Sequence, residues 1–162
     1  MSKAFGIGFG VAALVIIVLV WVGVVKTKDN HVAPAGWISN VRVQSLQPEE
    51  TLMVIDFGLI NDGDLQMVVS KIDPWIVTGT GQELHGTPFA SDDMAKTFSF
   101  YPALGPMLYP PLPLRGTLDG HKKMNLMVGV EFDVPADVIE TRKSTTLRIE
   151  DVTGPFVVLT AR

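Results

Sequence analysis

From Trp37 onward, apolar side chains recur at every second position rather than every third or fourth, the spacing of strands that bury one face. In KMNLMVGVEFDVP, Met124, Leu126, Val128, Val130, Phe132 and Val134 alternate with Asn125, Gly129, Glu131 and Asp133. In TLMVIDFGLIN, Met53, Ile55, Phe57 and Leu59 form one apolar face, while Leu52 and Val54 add a second face that Asp56 interrupts. A strand apolar on both faces belongs in the middle of a sheet. Further β-rich runs cover residues 37–46, 65–79, 145–152 and 155–161. Turn chemistry separates them: Gln47-Pro48-Glu49-Glu50, Asn61-Asp62-Gly63-Asp64, Gly79-Thr80-Gly81, Asp119-Gly120 and Gly154-Pro155.

Six or seven short strands without an amphipathic helix predict an all-β domain, an antiparallel β-sandwich of immunoglobulin-like type. The cysteine pair and core tryptophan spacing of antibody domains are absent, and Trp75 is expected as the large core residue instead.

The amino-terminal pattern is different. Residues 4–25 carry no charge, and as a helix they would span about 33 Å, matching a hydrocarbon core of roughly 30 Å. Gly6, Gly8 and Gly10 have no preceding strand and no downstream acidic residue in a βαβ context, so they are not a phosphate loop. Gly6 and Gly10 share one helix face, the spacing that lets two membrane helices approach closely. The apolar run is too long for a cleaved signal, and Ala33-Pro34-Ala35 is a poor cleavage site. With no cysteine there is no lipidation box. The expectation is a retained signal anchor over residues 1–25, in the bilayer through residues 4–25, a polar linker over 26–36 and a β-sandwich over 37–162. Lys3 against Lys26 and Lys28 leaves the flanking charge nearly balanced. The short overhang and the all-β domain favour the cytoplasmic (inner) membrane, amino terminus inside and domain outside. His31 reads as a solvated linker residue.

The long strand ending in Asn61-Asp62-Gly63-Asp64, the hairpin from Thr78 to Leu84, and LDGHKK…VEFDVP from Leu118 to Pro135 resemble bacterial membrane-anchored extracytoplasmic immunoglobulin-like modules of unknown function. Plant water-stress domains have a comparable sandwich. The resemblance covers residues 40–152 and implies an exported, anchored module; it brings no catalytic residues. The chain departs from it in lacking a lipidation cysteine and in the insertion FSFYPALGPMLYPPLPLRG, residues 98–116.

Five prolines keep that insertion from forming a regular central strand, and Pro110-Pro111-Leu112-Pro113 favours a polyproline II path. It also carries many apolar side chains. It either folds over an open end of the sandwich as a lid or stays exposed as a partner surface, for which Tyr101, Met107, Leu108, Tyr109, Pro110, Pro111, Leu112 and Pro113 are the candidate residues. Arg115 is positioned to anchor it through a carboxylate.

Other chemistry is sparse. Asp56, Asp62, Asp64 and Asp73 do not match a calcium-loop spacing, and Asp92-Asp93 reads as a helix cap. His85 and His121 have no recognisable nucleophile context, although a dispersed Ser-His-Asp set leaves no mark in sequence. No catalytic residue, metal or cofactor is expected. The net charge of −4 and the absence of any basic run longer than Lys122-Lys123 argue against nucleic acid. The expected function is a membrane-tethered, non-catalytic binding or scaffold module for a protein partner. The alternatives are a self-associating structural component acting through Gly6 and Gly10, forming a homo-oligomer, and a small-ligand or lipid-binding domain.

Overall fold

A computed structural model describes residues 14–21 and 32–162. Residues 14–21 form a helix, α1, whose side chains are all exposed. Among the described residues no helix is long and apolar enough to cross a membrane. The expected anchor falls largely outside the described residues, as do Gly6, Gly10 and His31, so a transmembrane helix is not part of the observed fold.

The remainder is a sandwich of two mainly antiparallel sheets. Its strands are β1 (Pro34–Gln47), β2 (Glu50–Asn61), β3 (Met67–Val77), β4 (Glu83–His85), β5 (Thr87–Pro88), β6 (Thr117–Leu118), β7 (Lys122–Phe132), β8 (Ser144–Asp151) and β9 (Phe156–Ala161). One sheet has the order β1-β2-β7-β5 and the other β4-β3-β8-β9, with β6 paired to the start of β3. Two short helices, α2 (Met94–Phe100) and α3 (Ala136–Glu140), depart from the all-strand expectation. In seven residues α2 buries only Met94 and Thr97, too short a run to reveal a helical period.

The inner faces follow the predicted alternation. Met53, Ile55, Phe57 and Leu59 of β2 pack with Leu126, Val128, Val130 and Phe132 of β7, opposite Ile72, Ile76, Leu147, Ile149 and Leu159 of the other sheet. Met124, expected inward, is exposed, because β7 there reaches the open end of the sandwich. Trp75 is not the core residue. Alternation along β3 sends Ile72 and Ile76 inward and turns Trp75 outward, where its ring stacks on His85 at 5.7 Å.

The chain joins the sandwich before the expected domain start. Val32 is buried in the core, Ala33 donates from its backbone to Asn61 Oδ1 (3.3 Å), and β1 is already paired at Pro34. Part of the expected linker is therefore structural. Asn61 explains why: its amide also donates to the carbonyls of Leu65 (2.7 Å) and Leu118 (3.2 Å), clamping three chain segments at one end of the sandwich.

The central position of β2 is reached from both sides, because its outer face is covered as well. Leu52 and Val54 form a second cluster with Met127 of β7, Met94 of α2 and Leu104. Gly129 makes this possible: a Cβ there would lie 2.6 Å from Met94 Sδ. Lower on the same face, the Trp37 ring lies across Gly58, where a Cβ would sit 2.4 Å from the ring.

Candidate functional site

The insertion is the most individual part of the domain, and one charged residue of β1 holds it down. Position 42 points to the outer face, where Arg42 donates from its guanidinium to the carbonyls of Leu104 (2.9 Å) and Pro106 (2.9 Å) and to Asp56 Oδ1 (2.9 Å). Its guanidinium also lies 5.0 Å from the centre of the Phe98 ring. Asp56 is fully buried and Arg42 nearly so, with side-chain exposures of 0% and 14%. The aspartate that interrupted an apolar strand pattern is thus the counter-charge of the insertion's anchor. Arg115 does not fill that role: its side chain is exposed, and it acts through its backbone, at φ 65°, donating to the Val69 carbonyl (2.8 Å).

The first part of the insertion covers the outer face of the β1-β2-β7 sheet, while its last residues close the gap between the sheets, where Leu112 enters the main core and Arg115 and Gly116 bond to the Val69 backbone. A short 3-10 turn, Pro102–Leu104, buries Leu104 on the outer face, with Phe98 and Tyr101 packed beside it. The chain then runs extended along the edge of β7. Met127 donates to the Pro110 carbonyl (3.0 Å) and Leu112 donates back to Met127 (2.8 Å), a parallel bridge centred on Pro111. Pro111 has no N–H, but in this register only its neighbours need to pair. The edge of β7 is thereby shared between β5 and the proline segment.

The candidate contact residues fall into two groups. Leu112 is buried in the main core, and Tyr101, Tyr109 and Pro111 are half-buried. Met107 and Leu108 are exposed at 45% and 54%, beside exposed Pro110 and Pro113. Leu112 and Pro113 also divide two clefts. One, of about 260 Å³, is lined by Leu59, Val69, Pro111, Leu118, Met124 and Leu126 and carries no titratable group. The other, of about 350 Å³, lies on the far side against Ile72, Phe89, Leu114 and Val128, with Asp92 at its margin. The walls of the first cleft suit an apolar side chain or acyl chain and offer no acid or base.

Apart from Asp92, no titratable residue among the described ones lines either cleft. His85 faces Asp73 Oδ1 (3.3 Å) and Glu83 Oε1 (2.9 Å), while His121 faces Asp64 Oδ1 (2.8 Å), and among the described residues neither ring meets a serine hydroxyl. Burial raises the pKa of Asp73, but hydrogen bonds from Lys71 and His85 outweigh it and hold the carboxyl below its ordinary range. A polar cleft of about 300 Å³ between β1 and β8 is lined by Glu140, Arg142, Ser144, Thr145 and Arg162. Burial there lowers the pKa of Arg142 while Glu140 opposes it; Arg142 is held by Thr145 Oγ1 (2.6 Å) and the Ile139 carbonyl (2.9 Å). Among the described residues no three His, Cys, Asp or Glu side chains gather closely enough to hold a metal ion. Asp93, expected as a cap, makes no side-chain cap bond and instead accepts from Lys96 (3.1 Å).

No family model and no curated protein matches the sequence. Solved structures with a similar chain path include a Bordetella pertussis protein described as ApaA, with 14% identity, TM-score 0.36, and coverage of 82% of this chain and 91% of that one. An uncharacterised β-sandwich protein of Clostridium difficile matches at 12% identity and TM-score 0.34, covering 82% of each chain. A functionally unknown Listeria monocytogenes protein matches at 10% identity and TM-score 0.38, covering 80% of this chain and 86% of that one.

Proposed function

We propose that the protein is a membrane-tethered, non-catalytic binding module that presents an immunoglobulin-like sandwich to a protein partner outside the cytoplasmic membrane. The immunoglobulin-like type draws on strand order. With β1, β2, β7 and β5 taken as A, B, E and D, and β4, β3, β8 and β9 as C′, C, F and G, the two sheets reproduce the order of that fold. The tether draws on the charge-free run over residues 4–25.

The observation that carries the binding surface is the division of labour within the insertion. Arg42, Leu104 and Leu112 tie the backbone down on either side, and Met107 and Leu108 stand exposed between these points. A backbone that is already fixed has little further entropy to lose when the apolar side chains it carries meet an apolar partner surface. Crosslinking the full chain in its native membranes should capture a stoichiometric protein that Met107→Ser with Leu108→Ser releases, with the folded domain intact by circular dichroism. Recovery of the same complexes from the double variant would defeat the proposal. A second reading, an apolar small ligand or lipid chain, is favoured by the cleft of about 260 Å³; it predicts a co-purifying lipid that Val69→Trp displaces.

A further inference from the structure

The exposed apolar side chains are unevenly distributed between the two ends of the sandwich. At the end where the chain enters, β1 begins opposite the end of β2, which pairs with the start of β7, and β6 pairs with the start of β3. Leu65, Leu114, Val152 and Phe156 occupy or flank the connections at this end, exposed at 40%, 63%, 58% and 51%. Just above them, the Lys123 ammonium lies 4.4 Å from the centre of the half-exposed Trp37 ring, and the Arg148 guanidinium lies 4.1 Å from that of Phe156. The opposite end is built from the connections 48–49, 78–82 and 133–143. Among the described residues it has no exposed large apolar side chain, and Glu49, Glu50, Glu131 and Asp133 cluster there around a cleft of about 490 Å³.

Chain length selects which end can meet a membrane. Because Val32 is already buried in the core, only residues 26–31 separate it from the apolar run ending at Val25. Seven Cα steps reach at most about 25 Å. The twelve residues of β2 run nearly the full length of the sandwich, about 36 Å at roughly 3.3 Å per residue. The tether is too short to turn the acidic end onto the bilayer, and the apolar end is held close to it. A weak attraction then suffices, because a short tether gives an effective concentration of about a millimolar or more.

We propose that this end of the sandwich rests on the lipid bilayer, with Leu65, Leu114, Val152 and Phe156 entering the headgroup boundary and the Trp37–Lys123 and Phe156–Arg148 pairs at headgroup level. The proposal rests on the membrane tether inferred above. Asp62, Asp64 and Asp119 share this end with Arg115, Lys122 and Lys123, so apolar contact rather than net charge drives the docking.

The chain has no cysteine, which makes single-site labelling direct. Leu114→Cys, Val152→Cys, Glu49→Cys and Val15→Cys, each carrying an environment-sensitive fluorophore, are reconstituted as full chains in phosphatidylcholine vesicles containing a spin-labelled lipid. For side chains reaching roughly 5–10 Å into the interface, emission at 114 and 152 falls about twofold or more while that at 49 is unchanged. Quenching at 15 without quenching at 114 and 152 overturns the docking and leaves the tether standing. No quenching at 15 removes the tether and the docking with it. A blue shift at 114 that spin-labelled lipid does not quench, with crosslinking to a second copy, means that another chain covers this end and also overturns the proposal.

Discussion

Arg42→Met tests the anchoring of the insertion. The substitution removes two hydrogen bonds to the insertion, the contact with Phe98, and the partner of a fully buried carboxylate whose other side-chain contact, Asn40 Nδ2, is a long 3.5 Å. Breaking one side of a buried pair costs about 3–5 kcal/mol, because the remaining charge is left without compensation. The buried Nε of Arg42 already lacks a partner, which trims what the wild-type pair contributes and favours the lower part of that range. The expected cost is therefore about 3 kcal/mol, read as a lowered urea midpoint for the full chain in detergent. Limited proteolysis should open the segment around Leu104 to Pro110 before the rest of the domain. Arg42→Met combined with Asp56→Leu should recover much of the loss, since an apolar pair of similar volume is often neutral. A cost below about 1 kcal/mol for the single variant, the range of surface ion pairs, would refute the reasoning. So would a double variant no better than the single one.

Gly58→Ala should displace the Trp37 ring, costing about 1–2 kcal/mol and shifting tryptophan emission; an unchanged spectrum would mean that the ring stays in place and the backbone gives way instead. Two carboxylates shape the pH dependence in opposite senses. Burial raises the pKa of Asp151, but hydrogen bonds from Thr153 and from backbone amides outweigh it, so its folded pKa lies below the unfolded one. Its contribution is complete above the unfolded carboxylate range and is lost as pH falls through the folded value, so Asp151→Asn should flatten the acid limb of a stability curve. For Glu131, burial and then the nearby Glu50 and Asp133 raise the folded pKa, so any stability linked to its protonation is present below the unfolded value and lost as pH rises through the folded one. Glu131→Gln should accordingly stabilise the domain near neutral pH and change little in acid, as followed by thermal unfolding. Gly6→Ile with Gly10→Ile should abolish a same-size crosslinked species in membranes if the anchor self-associates; its persistence would remove that alternative.

The strands of the sandwich were readable in advance to the degree that burial is one-sided. The alternation over residues 126–132 and the two-sided apolar character of β2 follow from local chemistry, and both recur in the structure with the predicted inner faces. Trp75 leaves its expected core place because type and size do not give parity; only the pairing of β3 with β8 and β4 sets which side chains turn out. The short strands β5 and β6 left no pattern because two residues cannot express a period. The insertion was conspicuous in composition, and its prolines excluded a central strand, but nothing local could say which sheet face it would cover.

What the order of residues alone determined is the class of architecture, the charge-free run over residues 4–25 and the want of any metal-loop or nucleotide signature, since each depends on neighbours in the chain. What folding in three dimensions decided is the union of Arg42, Asp56, Leu104 and Pro106, drawn from β1, β2 and a loop more than sixty residues on from Arg42. It also decided that the exposed apolar residues Leu65, Leu114, Val152 and Phe156 meet at one end. The physical reason is the same in both cases. A buried charge and a shared surface are properties of groups brought together by long-range pairing, and each partner taken singly looks ordinary in sequence.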